Sequence, residues 1–220
     1  MITLLNLLCG SVAVLYAVKG GFTQVWVLCI LASCFDFCDG FAARKLGSYS
    51  EIGKELDSLS DLVSFGLAPS IALLSYYKMY SNGPSILGFF PLAIVACSAL
   101  RLAKFNLDTR QTKSFLGLPT PACGLLAVSM TAFGLQLLST VWFIPSVSAV
   151  LSALLVCELP MFSLKQKSLK QKYFFLISLS VIVLCLIINT VHGSFIRNVE
   201  QWMMWIFITY IVVNLIPEKK

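Results

Sequence analysis

Residues 36–61 read Asp36-Phe-Cys-Asp39-Gly40-Phe-Ala-Ala43-Arg44-Lys-Leu-Gly47-Ser-Tyr-Ser-Glu51-Ile-Gly53-Lys-Glu55-Leu-Asp57-Ser-Leu-Ser-Asp61. Six of the ten acidic residues of the chain lie in this one stretch. The surrounding sequence is of the opposite character. Of 220 residues, 58% are hydrophobic and 12% charged, more apolar surface than a soluble core of this length can hide. An ionised carboxylate at the centre of a bilayer costs at least ~2.5–3.5 kcal/mol, so aspartates set into apolar spans require cations beside them.

Outward from this segment, eight mostly apolar runs have the length that crosses a hydrocarbon layer: 2–18, 22–46, 54–77, 84–106, 118–139, 142–163, 173–191 and 200–216. The expected fold is an all-α integral membrane protein of about eight transmembrane helices. The runs are nearly contiguous, with no space for a soluble domain. The first begins at Ile2 without a basic leader, and we expect it to be a retained span and not a cleaved signal. With both termini inside, thirteen of the sixteen Lys and Arg residues fall on one side, leaving Lys19, Lys78 and Arg197 on the other. That asymmetry orients the acidic segment towards the cytoplasm. The net charge of +6 then reflects topology and anionic head groups, not nucleic-acid binding.

Asp36 and Asp39 are three residues apart, Asp57 and Asp61 four, so each pair projects from one face of its helix. The turn formers and two glycines of residues 47–53 let the two helices fold back as a hairpin, so that all four carboxylates converge. Oxygen-only ligands favour Mg²⁺, Mn²⁺ or Ca²⁺ over zinc. Gly40, Ala42, Ala43, Gly47 and Gly53 keep the surrounding surface small, which suits either a nucleotide or a closely packed helix. The eight cysteines fall in apolar spans without a Cys-x-x-Cys pair and read as packing residues. Glu158 reads as a helix-end acid, His192 as a residue of the outer loop, and the lysines at 165–172 as an inner-leaflet anchor.

Taken together, Asp36-x-x-Asp39-Gly40-x-x-Ala43-Arg44, eight residues, Gly53, three residues, Asp57, three residues and Asp61 resemble the signature of the CDP-alcohol phosphatidyltransferase family. Three further segments resemble its phosphatidylserine synthase branch: Ser64-Phe-Gly-Leu-Ala-Pro69, Arg101-Leu-Ala-Lys-Phe-Asn106 and Gly117-Leu-Pro-Thr-Pro-Ala122. Lys104 departs from the arginine more usual in that branch, keeping the charge but losing the planar fork. The resemblance implies a six-helix core over residues 1–163, with two additional helices in 164–220, and a homodimer. It implies two divalent cations, Mg²⁺ or Mn²⁺, held by Asp36, Asp39 and Asp57 with Asp61 close by, and Asp61 as general base.

The resemblance also implies a cytidine pocket lined by Gly40, Ala43 and Gly53. Arg44 is either a phosphate partner or a helix-end anchor. Thr3 and Asn6 either approach the nucleotide or join helices by hydrogen bonds. Arg101, Lys104 and Asn106 are the candidates for holding the acceptor, with positive-inside anchoring as the other reading of the two cations. The implied substrates are CDP-diacylglycerol and L-serine, in a membrane. Glycerol 3-phosphate or an inositol phosphate is the alternative acceptor, and a divalent-cation or proton-coupled transporter the alternative class. Spans five, seven and eight carry no interior charge, and the acids cluster at one face, so the sequence offers no path across.

Overall fold

Small and polar residues recur on the first helix at Thr3, Asn6, Gly10, Ala13 and Ala17, and this stripe is the face it buries. Leu4, Leu5, Leu8, Val12, Leu15 and Val18 point outward. A helix that hides its small side chains and exposes its leucines is ordered for a lipid solvent, where close backbone approach drives association. The computed structural model describes residues 2–46, 50–107, 115–134, 140–161 and 195–215. In it, α1 (Ile2–Val18) packs along α2 (Phe22–Leu46) and across the long helical run that follows.

That run comprises α3 (Glu51–Asp61), a π-helical segment (Leu62–Leu67) and α4 (Ala68–Tyr80). Ser50, in extended conformation, caps α3: its Oγ accepts from the Gly53 N–H at 3.0 Å. The hairpin turn therefore ends by Ser50, and Glu51 to Gly53, read from sequence as part of the turn, are helical. Pro69 explains the widened segment. It has no N–H for the carbonyl of Phe65 four residues earlier, and its ring would clash there in a regular helix. The ladder slips by one residue, with the Ala68 N–H bonded to the Val63 carbonyl.

A 3₁₀ turn (Ser85–Phe89) leads into α5 (Leu92–Leu107), and α6 (Thr120–Phe133), α7 (Phe143–Val156) and α8 (Phe195–Leu215) complete the described helices. Phe115–Leu116 and Pro160–Met161 form a two-residue antiparallel pairing; the described structure is otherwise helical. Phe22–Ala42, Glu51–Tyr80 and Ser85–Leu107 are long and apolar enough to cross a membrane, and α1, α6 and α7 are apolar but shorter. The sixth expected span, 142–163, is helical only to Val156: Cys157 turns to extended backbone and Pro160 joins the short pairing. The seventh expected span, 173–191, lies outside the described residues, as do His192 and the lysines at 165–172.

Three contacts fix the parts that matter for the site. Gly10 brings α1 onto the π segment, where an added Cβ would lie 2.8 Å from the Cα of Ser64. Gly124 does the same for α6, at 2.6 Å from the Phe65 carbonyl oxygen. The third involves Gly117, whose φ of +76° lets its own N–H and that of Leu118 bond the Leu159 and Leu154 carbonyls. This docks the start of α6 against the end of α7. Far from the acids, the rings of Phe22, Tyr76 and Tyr80 form an aromatic cluster, of the kind found at membrane interfaces.

Candidate active site

Four aspartates on α2 and α3 meet the buried polar face of α1. Carboxylate oxygens of Asp36, Asp57 and Asp61 lie within 4.8 Å of one another. Asp36 and Asp57 are in hydrogen-bonding contact, an arrangement two anions keep only with a proton or cation between them. Asp39 does not join this group of three. Its Oδ2 accepts from the Thr3 hydroxyl, so α1 holds it to one side.

Asp61 is the most enclosed of the three, only 8% exposed. Asn6 donates from Nδ2 to its Oδ1 at 3.1 Å. The Asn6 carboxamide is itself oriented: Ser64 donates to Asn6 Oδ1 at 2.7 Å and also contacts the Asn6 backbone carbonyl at 3.0 Å. The Ser60 hydroxyl reaches the Thr3 carbonyl at 3.2 Å. Thr3 and Asn6 thus join helices by hydrogen bonds, both through aspartates of the acidic segment. Ser64 was quoted in the sequence only as part of a branch-like segment; its role in orienting Asn6 required the tertiary contact.

The oxygens of Asp36, Asp57 and Asp61 fit a hard divalent cation. Their mutual separation suits ligands held about 2.0–2.6 Å from one ion, and all are carboxylate donors. Cys34 and Cys38 are exposed and stand apart from this group, so neither packs in the core as the sequence reading expected. The remaining described cysteines are buried or half-buried free thiols.

The small-residue positions divide. Gly40 is half-buried one residue beyond Asp39; the side chains of Ala43 and Arg44 lie outside those described. Gly53 serves the cap of α3, and a Cβ there would come within 2.8 Å of Ser50 Oγ.

The three expected acceptor residues also separate. Arg101 is buried and donates from Nη1 to Thr120 Oγ1 at 2.8 Å, in electrostatic range of Asp61. Lys104 is exposed. Asn106 latches the end of α5 to α3, donating to Ser58 Oγ at 2.9 Å and Glu55 Oε1 at 3.4 Å, while its carbonyl accepts from Lys54 Nζ at 2.7 Å. Glu158 is exposed just beyond α7 and is not one of the three grouped carboxylates.

Helices with lipid-ordered faces around a buried carboxylate cluster define a polytopic membrane protein with a site built for charge. The profile of the CDP-alcohol phosphatidyltransferase family matches residues 1–155, the part that contains the four aspartates with Thr3, Asn6 and Arg101. The chain belongs to that family and is an integral membrane transferase.

Similar proteins include a CDP-diacylglycerol–serine O-phosphatidyltransferase of Methanocaldococcus jannaschii, 39% identical over 70% of this chain and 68% of that protein. Another of that name, from Bacillus subtilis, is 37% identical over 60% of this chain and 73% of its own length. An archaetidylserine synthase of Methanothermobacter thermautotrophicus is 38% identical over 60% of this chain and 55% of its own length.

Proposed function

We propose that the protein transfers a phosphatidyl group from CDP-diacylglycerol to L-serine, giving phosphatidylserine and CMP. The observation that carries the chemistry is the convergence of Asp36, Asp57 and Asp61, with Asp61 held by Asn6. The names of the relatives support serine as acceptor. Asp36, Asp39 and Asp57 are assigned as ligands of two divalent cations, Mg²⁺ or Mn²⁺, with Asp61 beside them. When bound, such ions neutralise the diphosphate and stabilise charge on the leaving phosphate.

Asp61 is assigned as the base. Its carboxylate takes the proton of the serine hydroxyl as that oxygen forms a bond to the phosphorus bearing the diacylglycerol. The bond from the same phosphorus to the CMP oxygen breaks, and its electron pair leaves with CMP. The hydrogen bond from Asn6 fixes which carboxylate oxygen is engaged and leaves the other for the proton. Gly40, Ala43, Arg44 and Gly53 are assigned to the nucleotide side, Thr3 and Asn6 to its floor through the aspartates they hold. Arg101 is the acceptor's cation, because it is the buried one of the pair. Lys104 and Asn106 are assigned with it to the acceptor side.

The wider organisation proposed is eight spans with both termini and the site cytoplasmic. The catalytic core covers 1–163, the last two helices lie in 164–220, and the assembly is a homodimer. The test supplies purified protein with CDP-diacylglycerol, Mn²⁺ or Mg²⁺ and labelled L-serine, glycerol 3-phosphate or an inositol phosphate in separate reactions. Metal-dependent phosphatidylserine with equimolar CMP is expected. Label entering lipid only from a phosphorylated acceptor would replace serine, and no CMP with any acceptor would overturn the transferase assignment of this site.

A further inference from the structure

The best-buried cation of the described structure is not fully used by its own chain. Arg101 Nη1 bonds Thr120, but Arg101 Nε, buried away from solvent, has no hydrogen-bond partner among the described residues. The guanidinium carbon lies over the Phe105 ring, 5.9 Å from its centroid. A buried donor left unmade is costly, and a carboxylate is the ligand whose geometry a guanidinium edge fits.

A further neighbour in electrostatic range of this guanidinium comes from outside the region matched by the family profile, which stops at residue 155. Helix α8 lies along α6, the helix that begins at Thr120, and its Met204, Tyr210 and Val213 enter the common core. Tyr210 is buried and in electrostatic range of Arg101. Asn214, one turn further on and also buried, interacts with the Tyr210 side chain and donates to its carbonyl at 2.8 Å. A purely apolar α8 would serve for packing in lipid; a buried Tyr-Asn pair beside a buried arginine does more.

We propose that α8 completes the acceptor pocket, with Tyr210 as a positioning residue that holds the Arg101 guanidinium so that its Nε edge meets the acceptor's carboxylate. The inference rests on the serine reading above and assigns the C-terminal helix a part in recognising that substrate.

The test uses the full chain, with kinetics for serine and for CDP-diacylglycerol in wild type, Tyr210→Phe, Arg101→Lys and the double variant. Phenylalanine keeps the ring and removes only the hydroxyl. Tyr210→Phe is expected to raise the serine KM about tenfold, the size of one charge-assisted hydrogen bond, with kcat and the donor KM nearly unchanged. In the Arg101→Lys background the same change adds little, because the two residues act as one unit. Val212→Ala, on the exposed side of α8, leaves all constants as they are.

An unmoved serine KM, or effects that add in the double variant, overturns the proposal. If Tyr210→Phe lowers Tm, Asn214→Ala decides: a raised serine KM supports the proposal and an unchanged one overturns it. Wild-type protein inactive towards serine would instead remove the reading on which the proposal rests.

Discussion

At the scale of single residues, the site is a set of carboxylates each given a different hold. Thr3 binds Asp39, Asn6 binds Asp61, and Asp36 contacts Asp57. Asp61→Asn keeps the volume and an acceptor for Asn6 but removes the carboxylate proposed as base. Turnover, followed as CMP release, is expected to fall by about 10²–10⁴-fold, with Tm little changed. Asn6→Ala acts differently, because it strips the partner from buried Asp61 and one of two from Ser64. A loss of about 1–3 kcal/mol is expected, read as a lower midpoint in thermal unfolding in detergent, together with reduced turnover. An unchanged midpoint would mean that the Asn6 bonds are replaced by water.

At the scale of elements, the π segment is the hub. Asp61 immediately precedes it, α1 rests on it at Gly10, and α6 rests on it at Gly124. Both glycines face backbone atoms that cannot rotate away. Gly10→Ala and Gly124→Ala are each expected to destabilise by about 1–3 kcal/mol through overpacking. Leu8→Ala on the exposed face of α1 is expected to change Tm little, since its side chain is not packed in the core. Gly10→Ala should also lower activity more than its stability loss explains, because it displaces Asn6 from Asp61. Proportional losses in both would remove that link. Ser50→Ala, which uncaps α3, should cost about 1 kcal/mol, and its neighbour Lys54 still ties α3 to α5.

At the scale of the whole molecule, the folded state gathers negative charge that the unfolded chain keeps apart. A divalent cation that binds the gathered carboxylates therefore stabilises the fold by mass action. At a hundred times its dissociation constant the gain is about 2.7 kcal/mol. Mn²⁺ or Mg²⁺ is expected to raise Tm, a chelator to reverse the effect, and Asp36→Ala to abolish most of the response. A Tm indifferent to both metals would count against the cation site independently of any activity measurement.

Sequence by itself determined the solvent, the family and the acids. Apolar run lengths specify a bilayer, and ionised groups inside one are so costly that Asp36, Asp39, Asp57 and Asp61 stand out without any coordinates. The helix limits were missed at Ser50, whose cap starts α3 inside the stretch read as turn, and where Cys157 and Pro160 end α7 early, because an apolar run continues past the point where the helix does. Only the tertiary structure decided that three of the four acids form one group while Thr3 draws Asp39 aside. It alone separated buried Arg101 from exposed Lys104 and brought Tyr210 of α8 into electrostatic range of the former. Spacing along a helix fixes which residues share a face, but which residue on that face is enclosed depends on how closely other helices approach. Here that approach is set by Gly10, Gly117 and Gly124, whose partners lie far away in the chain.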